Sequence, residues 1–394
     1  MSTTIATVAG TTGSGLGTER HIIYAVNSAR WWAFAFTSTN VISTWYSSDG
    51  SSWTAGATHT LGANHNSEGR SLAVAYKNIS GVDVVHIGYI GGTLTAATPW
   101  LVRATISSTT ITFHTSDTQL NGGNTTNITS PTFSGGSMEL DSNSRAYFAN
   151  GLCFNTTGFQ QDIDNARSTA DPGGAEQATA VTWTMQDIDS SPANECKSNY
   201  LCDTGSGNMG LLADNGSGTS NNTAVLWFTW NGTTWSSSSS ATGTVTAFDK
   251  DDWGAVLRTT SDVHLVYRSG SSSWVHRRWN GTSWGAGQSI PTQASKAGGG
   301  VALASDGTSV WLFAIDSDSA NTVRYIKWDG SAWGSWAALE SSTQTRTFLG
   351  CTKDVQSSAI IAYWSESTSF VAAKLDLSGG PPPDAVVSYG YSSN

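Results

Sequence analysis

The chain has 394 residues, a net charge of −10 and only 12% charged residues. This balance excludes a nucleic-acid partner, because binding a phosphate backbone needs a basic face. No apolar run of about 18 residues occurs, which excludes a membrane-spanning helix, and the first ten residues predict no signal peptide.

In chain order, short apolar runs alternate with turns rich in Gly, Ser, Asn and Asp, which is typical of β-strands. Residues 3–9 form one strand without a unit of its own. Groups of strands then follow. We expect units at 21–57, at 71–114, from 137–141 to 178–185, from 208–214 through residue 237, at 253–287, at 300–338 and at 346–377.

A fixed period defines the later units. Asn231, Asn280 and Asp329 are separated by steps of 49 residues, and Trp235, Trp284 and Trp333 keep the same step. Four strands in each unit of this length predict the blades of a β-propeller.

The last unit lacks a clear fourth strand, so we expect residues 3–9 to complete it and close the ring. The sequence therefore predicts one all-β domain over 1–380, a seven-bladed β-propeller of four-stranded blades, with six or eight blades as alternatives. Residues 381–394 form a Pro-rich tail.

The repeated motif, as in "TWNGTTW" and "KWDGSAW", is typical of a hairpin turn. Asn-Gly and Asp-Gly favour such turns, because Gly accepts a positive φ and the Asn or Asp side chain bonds its own backbone. We expect Trp235, Trp284 and Trp333 to pair across the hairpin with the Trp five residues earlier, as packing residues.

Two resemblances follow from these motifs. In "SSDGSSW", the residues Ser47, Asp49, Gly50 and Trp53 resemble the Asp-box of sialidase-type propellers, in which the box stabilises the fold. The 49-residue repeat and "KWDGSAWGSWAALE" resemble seven-bladed bacterial fucose-binding lectins of the PLL type. The resemblance implies a sugar-binding propeller without assigning its binding residues.

Candidate ligand residues lie in the loops that lead into the first strands. Arg20, Arg70 and Arg346 occupy this position in neighbouring blades, and Glu68 would partly neutralise them. Three guanidinium groups at one opening would suit a carboxylate or a sulfate. The alternative is a solvated ring of paired charges.

Three long polar segments interrupt the period, at 115–136, 152–177 and 186–207, and we expect irregular loops that meet a ligand or partner there. Phe154, Phe159 and Tyr200 would supply their apolar surface. Cys196 and Cys202 are interpreted as a loop staple or as free thiols.

No metal site is predicted. Alternating Asp residues in 161–171 and 314–321 leave calcium as a weakly supported cofactor, because neither segment has the EF-hand pattern.

No spaced carboxylate pair supports glycoside hydrolysis, so we expect no enzyme activity. Low charge and abundant Ser, Thr, Gly and Trp suit display outside a cell. The leading hypothesis is a phage virion protein that binds host glycans and contacts other virion subunits through its termini. A free bacterial lectin and a sialidase-like glycosidase are the alternatives.

Overall fold

The computed structural model describes most of the chain. The described residues are 2–8, 19–64, 72–93, 96–114, 117–120, 136–150, 163–168, 183–189, 198–215, 224–237, 239–243, 252–269, 273–291, 296–316 and 321–378. They form 29 strands and no helix. This part of the chain therefore contains no helix that could cross a membrane.

The strands form seven antiparallel sheets, numbered here as blades 1 to 7 in the order of their first strands. Blade 1 contains β2 (Ile22–Ala25), β3 (Arg30–Ser38), β4 (Val41–Ser47) and β5 (Thr54–Thr60). Blade 2 contains β6 (Ala73–Ile79), β7 (Val82–Thr93), β8 (Ala96–Ser107), β9 (Thr110–Phe113) and β10 (Thr118–Gln119). Blade 3 contains β11 (Ser137–Leu140), β12 (Ala146–Asn150), β13 (Ile163–Ser168) and β14 (Trp183–Asp189).

The remaining blades follow the same order. Blade 4 contains β15 (Asn199–Gly205), β16 (Asn208–Asn215), β17 (Ala224–Trp230) and β18 (Ser239–Ser240). Blade 5 contains β19 (Trp253–Thr259), β20 (Asp262–Ser269), β21 (Ser273–Trp279) and β22 (Gln288–Ser289). Blade 6 contains β23 (Lys296–Ser305), β24 (Val310–Asp316), β25 (Val323–Trp328) and β26 (Ala337–Glu340), and blade 7 contains β27 (Arg346–Cys351), β28 (Ala359–Glu366), β29 (Ser369–Asp376) and β1 (Thr3–Thr7).

The first strands of successive blades lie side by side around the centre of the ring. The core is divided among the interfaces between blades, where the apolar faces of two neighbouring sheets meet. This is the seven-bladed propeller that the sequence predicts, because each sheet hides each of its faces against a neighbour.

The ring closes as predicted. Strand β1 pairs antiparallel with β29, from Thr3 opposite Ala372 to Thr7 opposite Ser369, and so supplies the outer strand of blade 7. The side chain of Ile5 is buried against blades 1 and 7. Across the same seam, the Tyr363 hydroxyl accepts the His21 amide at 2.9 Å.

The repeated motif forms the turn between the third and fourth strands of blades 4, 5 and 6. Trp230 and Trp235 form a bridge, and the equivalent Trp pairs of blades 5 and 6 do the same, which confirms the expected pairing. In blade 4, Asn231 Oδ1 accepts the amides of Thr233 and Thr234, both at 2.9 Å. Gly232 takes a φ of 95°, which a residue with a Cβ rarely adopts.

The same turn recurs at the other motif positions. Asn280, Asp329 and Asp49 each accept the amides of the second and third residues that follow them. These bonds lower the pKa of Asp49 to about 2. The four turns therefore share one hydrogen-bonding scheme, in which one side-chain oxygen accepts two backbone amides.

Several predicted boundaries are wrong. The first strand of blade 4 is β15, which lies within the segment 186–207 that was expected to be an irregular loop. Strand β13 lies within 152–177, and β10 lies within 115–136. Polar residues dominate these strands or flank them, so their alternation is weak in the sequence.

From the sequence, the fourth strands are expected at 282–287 in blade 5 and at 332–338 in blade 6. In the structure they begin at Gln288 and Ala337, after the second Trp of each motif. The motif residues themselves form the turn and one isolated bridge, and backbone bonds flank that bridge, such as the one from the Gly285 amide to the Arg278 carbonyl at 2.8 Å.

We predict that removing residues 1–8 lowers the melting temperature by several degrees, because β29 would lose its outer partner and the ring would lose its closing contact. Thermal unfolding followed by circular dichroism measures this. Thr4→Ala is the matched control, since Thr4 is exposed, and it should change the free energy of unfolding by less than about 0.5 kcal/mol. An unchanged melting curve for the deletion would show that the ring does not need β1.

Candidate functional site

Three charged side chains meet at the centre of the ring. Arg20 Nη1 donates to Glu139 Oε2 at 3.0 Å, and Lys353 Nζ donates to the same oxygen at 2.8 Å. Arg20 leads into blade 1, Glu139 lies on β11 of blade 3 and Lys353 follows β27 of blade 7. Side chains from these three blades meet only near the axis of the ring, so we call them the channel cluster.

The charges of the channel cluster stabilise one another in a buried setting. Burial alone would raise the pKa of Glu139, but the nearby Lys353 and Arg20 lower it to about 2. Burial alone would lower the pKa of Arg20, but the attraction of Glu139 outweighs it and raises that pKa above its ordinary value. All three groups are therefore ionised at neutral pH.

Tyr200 lies beneath the channel cluster and not on an exposed loop. Its ring is buried, with the Arg20 guanidinium 5.7 Å from the ring centroid. Its hydroxyl accepts the Leu257 amide at 2.9 Å. Tyr200 thus joins blades 4 and 5 and supports Arg20 from below. That Tyr200 contacts a ligand is still a prediction.

Arg346 is placed elsewhere. Its Nε donates to Glu366 Oε1 at 2.8 Å, and its Nη1 donates to the carbonyls of Asn321 and Glu340 at 3.0 and 2.9 Å. The guanidinium also lies over the ring of Trp364, 4.8 Å from its centroid. This buried side chain ties blade 6 to blade 7, and the structure does not bring it into the channel cluster.

The other predicted ligand residues lie outside the described residues. These are Arg70, Glu68, Phe154 and Phe159, and Cys196 is a further case. Cys202 is a buried free thiol on β15, and burial raises its pKa to about 12. A thiol of this kind stays protonated at neutral pH and is inert.

Sequence reasoning missed Glu139 and Lys353 as partners of Arg20. They lie 119 residues after Arg20 and 214 residues after Glu139, respectively. Neither stands in a motif, so no local signal could have identified them. Only the closed ring brings blades 1, 3 and 7 together.

The second Trp of each motif packs against the preceding blade. The ring of Trp284 in blade 5 meets Trp227 of blade 4 edge-on, with centroids 5.6 Å apart. The ring of Trp333 in blade 6 meets His276 of blade 5 in the same way, at 5.3 Å. The motif thus fills the outer part of each blade interface as well as forming its turn.

Two clefts open beside the motif turns of blades 5 and 6. The first lies between blades 4 and 5, has a volume of about 570 Å³ and is called the 4–5 cleft. The second lies between blades 5 and 6, has a volume of about 420 Å³ and is called the 5–6 cleft. The 4–5 cleft is lined by Trp227, Trp279, Trp284, Arg277 and a row of Ser and Thr hydroxyls.

The two clefts are versions of one site. Trp279 and Thr282 of the 4–5 cleft correspond, at the 49-residue step, to Trp328 and Ser331 of the 5–6 cleft. Each cleft is formed by the outer strands of one blade and the motif turn of the next. Their common frame is therefore a consequence of the repeat.

The clefts differ where the repeat has diverged. Trp227 of the 4–5 cleft corresponds to His276 of the 5–6 cleft. The Trp fits because Gly210 lies beside it: a Cβ on that glycine would come within 2.0 Å of the Trp227 ring. The corresponding partner of His276 is His264, whose Nδ1 lies 2.8 Å from His276 Nε2.

The His pair is held in a charged but buried setting. The two imidazole rings stack with centroids 4.9 Å apart, and both side chains are buried. His264 faces Asp262 at 3.4 Å, and Asp262 in turn bonds the guanidinium groups of Arg258 and Arg278. Burial, followed by the neighbouring His264, lowers the pKa of His276 to about 3.

No metal site is found among the described residues, which contain no group of three or more His, Cys, Asp or Glu side chains that could hold an ion. In the segment 314–321, Asp316 accepts from Arg324 at 2.7 Å. This ion pair engages the carboxylate that the calcium hypothesis would use.

The comparison with known proteins concerns the fold. No family model and no curated protein matches the chain. Among solved structures, AofleA from Arthrobotrys oligospora is similar with a TM-score of 0.52 and 11% identity, over 84% of this chain and 89% of that one. This likeness shows the fold alone.

Two further solved structures are similar at lower scores. The fucose-specific lectin from Aleuria aurantia has a TM-score of 0.47 and 10% identity, over 79% of this chain and 93% of that one. The NanB sialidase from Streptococcus pneumoniae has a TM-score of 0.48 and 13% identity, over 95% and 70%.

We predict that Trp284→Ala lowers the free energy of unfolding by about 1–3 kcal/mol, because it removes a half-buried ring that packs on Trp227 across the 4–5 interface. Chemical denaturation measures the change. Ser283→Ala, at an exposed neighbouring side chain, should stay within about 0.5 kcal/mol of the parent. Full stability of the Trp284 variant would show that this ring is not a packing residue.

We predict that the His pair makes stability depend on pH. The pKa of His276 is about 3 in the folded chain against an ordinary 6.5, so below pH 6.5 the unfolded chain binds a proton that the folded chain refuses. The contribution of His276 is full above pH 6.5 and is lost as the pH falls toward 3. It amounts to on the order of 2 kcal/mol between pH 7 and 5.

Urea denaturation at pH 7, 6 and 5 measures this loss, and His276→Gln should make it smaller. His86 is also buried, with its pKa lowered to about 3, but it contributes equally to both proteins and cancels in the comparison. Equal losses in the two proteins would contradict the assignment to His276.

Proposed function

We propose that this propeller is a non-enzymatic carbohydrate-binding protein, and that the 4–5 and 5–6 clefts are its sugar sites. One observation carries the proposal: the same cleft frame occurs twice at a 49-residue step, with Trp, Arg and hydroxyl side chains in each lining. A cleft with an apolar lining on one side and hydrogen-bond donors on the other suits a sugar ring, because the ring has both apolar and polar surfaces.

The donors of each cleft support this assignment. In the 4–5 cleft, Arg277 is fixed by its bonds to the Gly285 carbonyl at 2.8 Å and the Ala241 carbonyl at 2.6 Å. In the 5–6 cleft, Arg278 is fixed by Asp262. A guanidinium held in place presents its remaining N–H groups to a ligand at little cost in side-chain entropy.

The clefts also have the size of ligand sites. Their volumes, about 570 and 420 Å³, lie within the usual range of roughly 300–1,000 Å³ for small-molecule pockets. Two related sites on a rigid ring would engage a branched or clustered glycan together, which raises the apparent affinity without any new contact.

We place the protein on the surface of a phage particle, where it would bind glycans of the host cell and contact neighbouring virion subunits. The low charge and the abundance of Ser, Thr, Gly and Trp support display outside a cell. An antibody against the purified chain should label phage particles. Labelling of the bacterial surface or medium alone would favour the free lectin.

A glycosidase is the remaining alternative. In the channel cluster, the only carboxylate held by hydrogen bonds is Glu139, and both its cationic partners stabilise the ionised form. A general acid needs a raised pKa, so this geometry favours binding over hydrolysis. Turnover of a fluorogenic sialoside that disappears in Arg20→Ala would instead favour the glycosidase.

We predict that blocking both clefts abolishes glycan binding. Ser237 and Ala286 are exposed and occupy equivalent positions in the two clefts. The double variant Ser237→Trp/Ala286→Trp should lower the affinity for any glycan found on an array by about tenfold or more. Titration calorimetry with that glycan measures the loss.

The repeat offers a matched control. Ser335 is exposed and lies at the same step in blade 6, beside blade 7, which is closed by β1 and has no Trp motif. Ser335→Trp should therefore keep the affinity within about twofold of the parent. Equal binding by the double variant and the control, with unchanged melting temperatures, would reject the clefts as the sugar sites.

A further inference from the structure

We propose that the pocket beside the channel cluster binds a small ligand through a carboxylate group. The pocket is lined by residues of blades 1, 2, 3 and 7, among them Tyr24, Tyr76, Thr352 and Gln356 beside the channel cluster. It is separate from the 4–5 and 5–6 clefts, and the inference does not depend on them.

The charge of the buried groups supports an anionic ligand. Arg20 and Lys353 each carry a positive charge, their side chains are only 13% and 18% exposed, and they share the single carboxylate of Glu139. The three buried groups carry one positive charge in excess, and the exposed Asp354 at the rim of the same pocket offsets it only across screening water. An excess charge in a poorly hydrated site is costly unless a counter-charge reaches it.

The cations also have donors to spare. Arg20 Nη2 is buried and has no hydrogen-bond partner among the described residues. Lys353 has three N–H donors, and its one hydrogen bond within the described chain goes to Glu139. Both cations bond the same oxygen of Glu139. Arg20 Nη2 is enclosed by protein, so the donors available to a second carboxylate are those of Lys353 and of the exposed part of the Arg20 guanidinium.

The outer part of the pocket determines which end of the ligand enters. Asp354 lies at the rim and is exposed, so its charge repels an anion there while water screens it. A carboxylate is therefore favoured only at the inner end, against Arg20 and Lys353. The side chains of Tyr24 and Tyr76 would contact the uncharged remainder.

The volume of the pocket limits the ligand. It is about 210 Å³, which is room for about seven water molecules at their share of liquid volume. This space suits a small acid, such as a single acidic sugar unit, and not an internal stretch of a polymer.

Titration calorimetry at constant ionic strength tests the proposal, with sodium glucuronate as the probe and glucose as its neutral counterpart. We expect saturable binding of glucuronate and none of glucose. Lys353→Met should weaken glucuronate binding by about tenfold or more, because it removes one of the two cations. Glu139→Gln should strengthen it, because the competing internal carboxylate is lost.

Lys374→Met is the matched control, since Lys374 lies on β29 of the same blade and pairs with Asp376. It should leave glucuronate binding unchanged, as should the double variant that blocks the clefts. If Glu139→Gln does not fold, Lys353→Arg keeps the charge and should keep binding. Absence of saturable binding, equal binding of glucose, or parental affinity in Lys353→Met would each overturn the proposal.

Discussion

The pairing of β1 with β29 is the contact on which the rest of the structure depends. It converts seven sheets into a ring, and a ring has no free end at which a blade face stays uncovered. Once it is closed, Arg20 of blade 1 lies opposite Glu139 of blade 3 and next to Lys353 of blade 7. A few backbone hydrogen bonds at the outer edge of blade 7 thus fix the distances between these three side chains near the axis of the ring.

The regular part of the fold could be predicted because it is local. The motif turns need only Asn or Asp, Gly and a Trp on either side, and all of these lie within seven residues of sequence. The closure of the ring could be predicted because the last unit lacks a fourth strand and residues 3–9 form a strand without a unit. Blade 4 was harder, since its first strand contains Asn199, Asp203 and Thr204 and resembles a loop.

The channel cluster could not be predicted, because its members share no motif and come from three blades. Arg20 was identified from its position before a first strand, and the same rule pointed to Arg346. The structure separates the two, since Arg346 is surrounded by the carbonyls of Asn321 and Glu340. The position of a residue within a repeat therefore predicts where its backbone lies in the blade, but not which neighbouring blade its side chain contacts.

The 49-residue step keeps the frame of each cleft and leaves its lining free to vary. At one position, Trp227 stands beside Gly210; at the next, His276 stands beside His264. Each exchange needs two changes that preserve the filled volume, which is the kind of replacement that packed interiors tolerate. The Trp of the motif turn is kept in both clefts, while the residue that faces it changes from Trp227 to His276.

The closure by β1 also sets an order of events in synthesis. About 360 residues separate β1 from β29, and ribosomes add roughly 5–20 residues per second, so β1 waits on the order of tens of seconds for its partner. During that time its backbone donors and the flank of blade 1 face water. The nascent chain is thus exposed to mispairing with a second copy until its last blade emerges.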